Sequence, residues 1–191
     1  MKKGLLIVLS GPSGVGKGTV RKCIFEKECL DLTYSISMTT RAIRDKETDG
    51  VEYYFVSKEE FQDRINKGEF LEWAEFVGNY YGTPKDKIED LRNKGHNVFV
   101  EIEINGANQV FDKVNDNGLI SFFLMPPTIK DLETRIRRRK TESENTIRER
   151  LLKGEKEMTM TDRYQHIILN DSVERAAEEI IQIIKEKLSQ D

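Results

Sequence analysis

One continuous apolar run, LLIVL (5–9), and three further apolar-rich segments, NVFVEI (97–102), LISFFL (119–124) and the short QHIIL (165–169), stand out from an otherwise strongly charged chain. Runs of this length without polar alternation suit strands buried on both faces, as in a parallel sheet. Between them the period changes. After Gly16, the positions Val20, Cys23, Ile24 and Lys27 recur at helical spacing and predict a helix. Residues 172–188 predict a second, amphipathic helix with Val173, Ala176, Ala177, Ile180, Ile181, Ile184 and Leu188 on one face. Ser172 is a candidate N-cap, and Asn170 and Asp171 are alternatives. The alternation of runs and helices predicts an α/β fold of three layers around a mainly parallel central sheet.

Two stretches interrupt the alternation. Residues 35–87 are rich in aromatic and turn residues, and residues 127–161 are charged and helical in pattern. Both are expected to be insertions over the carboxyl ends of the strands, where sheets of this class bind ligands. The length, 191 residues, fits one domain with mobile parts. The core is expected at about 1–34, 88–126 and 162–191.

Thirty-one Lys and Arg against thirty-four Asp and Glu give a net charge of −3, so nothing global favours nucleic acid as a partner. No run approaches the ~18 apolar residues of a membrane span. The start, Met1-Lys2-Lys3 before LLIVL, is too short in its apolar part for a secretory leader, so a cytoplasmic protein is expected. Cys23 and Cys29, six apart on the same expected helix, have no metal-binding or disulfide-framework spacing, and His96 and His166 stand alone.

The first strand runs into LSGPSGVGKGT (9–19). Gly11, Gly14 and Gly16 permit a tight turn whose N–H groups point inward as an anion nest, with Ser13 and Val15 between them. The helix that follows adds its N-terminal dipole, and Lys17 supplies a compact charge for the β- and γ-phosphates of a nucleotide. Placed between strand and helix, G-x-x-x-x-G-K is a specific signal. Gly18 stands where a magnesium-touching hydroxyl is usual, with Thr19 one place later.

Further on, SISMTTRAIR (35–44) sets Arg41 and Arg44 three apart after a hydroxyl-rich run. DGVEYYFVS (49–57), FLEWAE (70–75) and GNYYGTP (78–84) follow in that order. Arginine forks match phosphate oxygens bidentately, and the hydroxyls add neutral hydrogen bonds. Together with the phosphate loop, these blocks resemble the guanylate kinase family over essentially the whole chain. In that family and in adenylate kinases, GKGT is a familiar form of the loop.

The resemblance implies a P-loop kinase fold with two mobile insertions, a GMP-binding part at about 35–87 and a lid at about 127–161. It implies Arg41, Arg44, Tyr53 and Tyr81 on the GMP phosphate, and Ser37, Glu72 and Thr83 on the guanine. VEIEING (100–106) follows the second apolar run, and strand alternation puts Glu101 and Glu103 on one side. By resemblance Glu103 takes the place of a guanine-reading aspartate, one methylene longer, and Glu101 stands near magnesium through water. Asn105 stands where the family has glutamine.

The basic run Arg135-Ile136-Arg137-Arg138-Arg139-Lys140 puts Arg135 and Arg139 on one helical face. With Arg150 they match the family's lid arginines, which face ATP phosphates, whereas Arg137 and Arg138 are expected to be solvated. Lys140 replaces a hinge glycine. Asn170 matches an adenine-side residue, so ATP is expected on Gly11, Ser13–Thr19, Arg135, Arg139 and Asn170.

The expected activity is transfer of the γ-phosphoryl group of ATP to GMP or dGMP with Mg²⁺ as cofactor, within purine metabolism. Lys17, Arg41, Arg135, Arg139 and Arg150 would be the catalytic cations of a monomer or small homo-oligomer. A phosphopeptide-binding module of the same fold and a sugar-phosphate kinase are the competing readings.

Overall fold

A computed structural model describes residues 2–138 and 143–190. The first elements are β1 (Leu6–Ser10), α1 (Lys17–Glu26), β2 (Leu32–Tyr34), β3 (Met38–Thr39), β4 (Tyr54–Phe55) and α2 (Lys58–Asn66). Next come β5 (Phe70–Phe76), β6 (Asn79–Pro84), α3 (Lys85–Asn93), β7 (Asn97–Glu101) and α4 (Ile104–Lys113). The chain ends with β8 (Leu119–Met125), α5 (Ile129–Arg138), α6 (Glu144–Glu157), β9 (His166–Leu169) and α7 (Val173–Gln190). The strands form one sheet of order β2-β7-β1-β8-β9 and a second of order β4-β3-β6-β5. The four apolar segments are strands of the first sheet, and Leu6 to Leu9 are completely buried.

That sheet is mainly parallel, as expected. The Val98 amide donates to the Leu5 carbonyl and the Ile102 amide to the Leu9 carbonyl, four residues on in both segments. β8 and β9 also run parallel, from Phe122 opposite His166 to Met125 opposite Leu169. No described helix is long and apolar enough to cross a membrane.

Contacts divide the chain into two compact units: residues 1–6, 33–100 and 105–119, and residues 7–32, 101–104 and 120–191. The segment 35–87 falls wholly in the first and 127–161 wholly in the second. In the second unit α1 packs on α7, and Lys27 bonds Glu178 at 2.8 Å. Ser172 caps α7: its carbonyl accepts from Ala176 at 3.0 Å and its hydroxyl from Arg175 at 3.4 Å. The face from Ala176 to Ile184 is buried, but Leu188, expected on it, is 38% exposed near the chain end. Cys29 is not on α1 with Cys23, because that helix stops at Glu26 and Cys29 lies exposed beyond it.

In the first unit, Met38, Phe61 and Phe70 form a small core under the second sheet. Phe61 stacks on Phe70 and Tyr80, with centroids 4.4 and 5.4 Å apart. Strand β5 is further anchored by α4. The Gln109 amide bonds both backbone groups of Trp73, at 3.1 and 2.9 Å, and Lys113 donates to the carbonyls of Phe70 and Leu71. Arg92, only 1% exposed, is neutralised by a two-armed pair with Asp116 at 2.8 and 3.0 Å and also donates to the Gly4 carbonyl. That pair holds the Asp116 carboxyl below its ordinary range.

Phe76 pairs with Asn79 at the end of the β5–β6 hairpin, leaving a two-residue turn of Val77 and Gly78. Both have positive φ, 49° and 71°. This is the twist that two-residue hairpins favour, but a β-branched residue pays for it in left-handed strain. Val77 is 80% exposed, so it gains nothing from packing. Val77→Asn should therefore raise stability by about 1 kcal/mol, read as a higher urea midpoint at unchanged slope. A lower midpoint would contradict the strain argument.

Candidate active site

In the second unit, β1 ends at Ser10 and the chain turns through residues 11–16 into α1. Gly11 is required by close approach as well as by its φ of 147°: a Cβ there would lie 2.4 Å from the Leu124 carbonyl oxygen. Gly16 occupies the N-cap of α1 without a side-chain cap, and no acidic residue sits in the first turn. The helix N-terminus is thus left to an anion.

Lys17 is the central cation. Its ammonium donates to the carbonyls of Gly11 at 2.7 Å and Pro12 at 3.3 Å. Burial pushes its pKa down, and Glu101, Glu103 and Glu157 oppose that shift. A cavity of about 440 Å³ is lined by Ser13, Gly14, Gly16, Lys17, Gly18, Thr19, Glu101, Ile102 and Glu103. Glu101 and Glu103 therefore do line one cavity, although β7 stops at Glu101 and strand alternation is not the cause. Glu101 accepts from Arg21 at 2.8 Å, and Glu103 pairs with Lys153 at 3.3 Å.

Helix α6 reaches the same loop. Arg150 donates to the Ser13 hydroxyl at 2.9 Å, and the Glu157 carboxylate accepts from the Ser13 amide at 3.2 Å. Lys153 also pairs with Glu157 at 3.4 Å. A second cavity, about 390 Å³, is lined by Gly14, Val15, Gly16, Thr19, Arg135, Arg138, Asn170 and Val173. Arg135 donates to the carbonyls of Val15 and Asn170, at 2.8 and 2.6 Å. The side-chain Nδ2 of Asn170 donates to the Val15 carbonyl, while its side-chain Oδ1 is buried without a partner among the described residues. Arg138, expected to be solvated, is exposed yet lines this cavity. Arg137 pairs with Glu133 and Glu144 instead. Arg139 and Lys140 lie outside the described residues.

The first unit holds the other constellation. Arg41 forms a two-armed pair with Glu47 and lies over the rings of Tyr53 and Phe55, at 5.5 and 5.7 Å. Tyr53 meets Tyr81 edge-on with centroids 5.9 Å apart, and burial, then Tyr81, raises its pKa. Arg44 is exposed, and Ser37 is half-buried beside β3. Glu72 is buried and accepts from the Thr83 hydroxyl at 2.5 Å. Its other oxygen lies against Gly106, where a Cβ would come within 2.7 Å of it.

Three parts of this machinery escaped the reading of the sequence. Glu47 sits in a charged stretch with no pattern to single it out. Glu157 and Lys153 look like a solvated helix face until the loop is placed under them. Gly106, in the first turn of α4, carries no local signal that the Glu72 carboxylate fills the space beside it.

The family profile described as "Guanylate kinase" matches residues 3–187. A guanylate kinase of Enterococcus faecalis is 52% identical over 183 residues, covering 96% of this chain and 89% of the relative. One of Malacoplasma penetrans is 46% identical over 187 residues, covering 98% and 95%. The crystal structure of guanylate kinase from Anaplasma phagocytophilum superposes with a TM-score of 0.74 at 32% identity, covering 98% of this chain and 87% of that one. With a phosphate loop in place and a family profile spanning nearly every residue, the chain belongs to the guanylate kinase family.

Proposed function

We propose that the protein is a cytoplasmic ATP:GMP phosphotransferase in which the loop around Lys17 holds ATP and the constellation around Glu72 and Arg41 holds GMP. The observation that carries the substrate assignment is the buried Glu72 carboxylate, oriented by Thr83. An ionised carboxylate accepts from both N1–H and N2–H₂ of guanine, whereas adenine would set the lone pair of its N1 against it. Sites built on such bonds reject the wrong analogue by roughly 10⁴–10⁵. Arg41, with Tyr53 and Tyr81 beside it and Arg44 close in sequence, would take the phosphate of GMP, and Ser37 would add a contact to the base, with Glu103 assigned to the base by resemblance alone.

On the ATP side, the unpartnered side-chain oxygen of Asn170 suits the exocyclic amine of adenine. Lys17, Arg135 and Arg150 supply positive charge for the phosphates, and Arg139 is assigned with them by resemblance. An oxygen of the GMP phosphate attacks the γ-phosphorus, the bond to the β-bridging oxygen breaks, and ADP leaves. That nucleophile is already an anion, so no general base is needed. The protein contributes alignment and fixed positive charge.

Magnesium fits the residues present. Glu101 and Thr19 line one cavity with hard oxygen donors, and a Mg²⁺ that keeps several waters needs no more than one or two carboxylates and the phosphates. When bound, the ion would neutralise phosphate charge. The half-buried, cavity-facing Lys17 favours this reading over a phosphopeptide-binding module, which has no use for a nucleotide cation.

The decisive experiment measures ADP release with GMP, dGMP, AMP, IMP and ribose bisphosphate. GMP should be strongly preferred, and equal turnover of AMP would reject the role of Glu72. Lys17→Met should lower kcat by about 10³ while GMP affinity stays near normal, and near-normal turnover would remove Lys17 from the chemistry. Gly106→Ala should displace the Glu72 carboxylate and raise KM for GMP roughly tenfold with KM for ATP unchanged. An unaltered GMP profile would show that this carboxylate has room to move.

A further inference from the structure

We infer that Lys113 on α4 is a specificity-determining positioning residue: it holds a β-bulge at Leu71 that turns Glu72 away from the aromatic core and toward the substrate base. The inference rests on the reading that Glu72 accepts from guanine. Its geometric basis is the register of β5 on β6. Phe70 lies opposite Pro84 and Glu72 opposite Thr83, so two steps along β5 match one step along β6. Leu71 is the extra residue of a bulge. Beyond it the pairing is regular, from Trp73 opposite Gly82 to Phe76 opposite Asn79. On its other side the Lys85 amide donates to the Glu69 carbonyl at 2.8 Å.

The bulge decides which face each side chain takes. In a regular strand, residues two apart share a face, and Phe70 and Glu72 would point the same way. Here their partners Pro84 and Thr83 are adjacent on β6, so the two side chains lie on opposite faces of the sheet. Phe70 joins Met38 and Phe61 in the small core, with Trp73 and Tyr80 packed against it. Glu72 takes the other face, where Thr83 donates to it at 2.5 Å and the Ala74–Tyr81 pair follows. Without the extra residue, either a carboxylate would enter that core or Phe70 would leave it.

A bulge leaves backbone groups outside the ladder, and these need other partners. The Lys113 ammonium donates to the carbonyls of Phe70 at 3.0 Å and Leu71 at 2.9 Å, the two residues before Glu72. Successive carbonyls of a regular strand point to opposite edges, so one ammonium reaches both only where the strand is bulged. Gln109 brackets Trp73, the residue after Glu72, at 3.1 and 2.9 Å. Because β5 ends its sheet, a helix and not another strand meets these groups. Gly106, Gln109 and Lys113 recur at helical spacing, so one face of α4 meets Glu72 and the residues on both sides of it. Burial pushes the Lys113 pKa down and the Glu72 charge opposes that shift, which places the ammonium within the field of the carboxylate it aims.

The test uses the full chain with Lys113→Met, which keeps the length of the side chain and removes its donors. It compares kcat/KM for GMP and for IMP. IMP lacks the N2 amine of guanine, so a carboxylate aimed at both donors separates the two substrates, and a displaced one separates them less. The preference for GMP over IMP should fall about tenfold, with KM for ATP unchanged. Lys113→Arg, which restores charged donors, should recover most of the preference. Adding Lys113→Met to Glu72→Gln should lower the preference no further than Glu72→Gln alone.

An unchanged preference in Lys113→Met, where Glu72→Gln does lower it, would overturn the inference, because a merely loosened fold weakens GMP and IMP alike. A preference that stays low in Lys113→Arg would also overturn it, since the donors would not be the cause. An unchanged preference in Glu72→Gln would instead reject the reading of Glu72 itself, and this inference with it. Should Lys113→Met lower the melting midpoint, the ratio measured below that midpoint remains the readout. Should it fail to fold, Lys113→Gln, whose shorter arm falls short of the two carbonyls, carries the same expectation.

Discussion

A half-buried lysine ammonium held by two carbonyl oxygens sets the terms for the proposed nucleotide site. Burial alone would drive Lys17 toward its neutral form, and Glu101, Glu103 and Glu157 oppose it. Those carboxylates are a hazard too, because a triphosphate entering among them would be repelled. The second unit meets this with counter-cations: Arg21 on Glu101, and Lys153 between Glu103 and Glu157. Three cations then face three anions. The surplus charge of a nucleotide must be met by what stands around that balanced set: Arg135, Arg138 and Arg150 from α5 and α6, and a metal ion.

The same device recurs in the first unit on a smaller scale. Arg41 is fixed by Glu47 and Glu72 by Thr83, so the groups proposed to meet a substrate are locked by partners of their own. Donors and acceptors that are already oriented cost no reorganisation when charge moves, which is where a kinase without a base must find its rate. The protein spends polar side chains on holding other polar side chains.

What the sequence made legible follows from how local each signal is. LLIVL, NVFVEI and LISFFL became strands of one sheet because a strand buried on both faces shows few polar positions to blur it, whereas QHIIL is an edge strand of that sheet with Ile167 and Leu169 exposed. The loop from Gly11 to Lys17 was equally plain, since its turn, its nest and its lysine are contiguous. Glu47, Glu157 and Gly106 were not legible. Two of them act on a group set by another segment: Glu157 meets Ser13 from 144 positions away, and Gly106 meets Glu72 from a different element; Glu47 acts within its own loop, where nothing in a charged stretch marks it out. The pairing of Glu101 with Glu103 was anticipated for a reason that fails. β7 ends between them, and their shared cavity comes from the turn into α4.

Gly18 shows how a departure from a motif is explained by its surroundings. A Cβ at that position would have Glu101 Oε1 as its nearest neighbour at 3.7 Å, an ordinary contact, so space does not demand glycine. Nor does the backbone, because Gly18 lies in the first turn of α1, where any residue fits. A hydroxyl there would instead stand beside Glu101, whose carboxylate Arg21 already engages. With glycine, Glu101 and Thr19 remain the oxygen donors of this wall of the cavity, and a metal ion would rest mainly on phosphates and water. An ion held that way arrives and leaves with the nucleotide, which suits an enzyme that must release a diphosphate on every cycle.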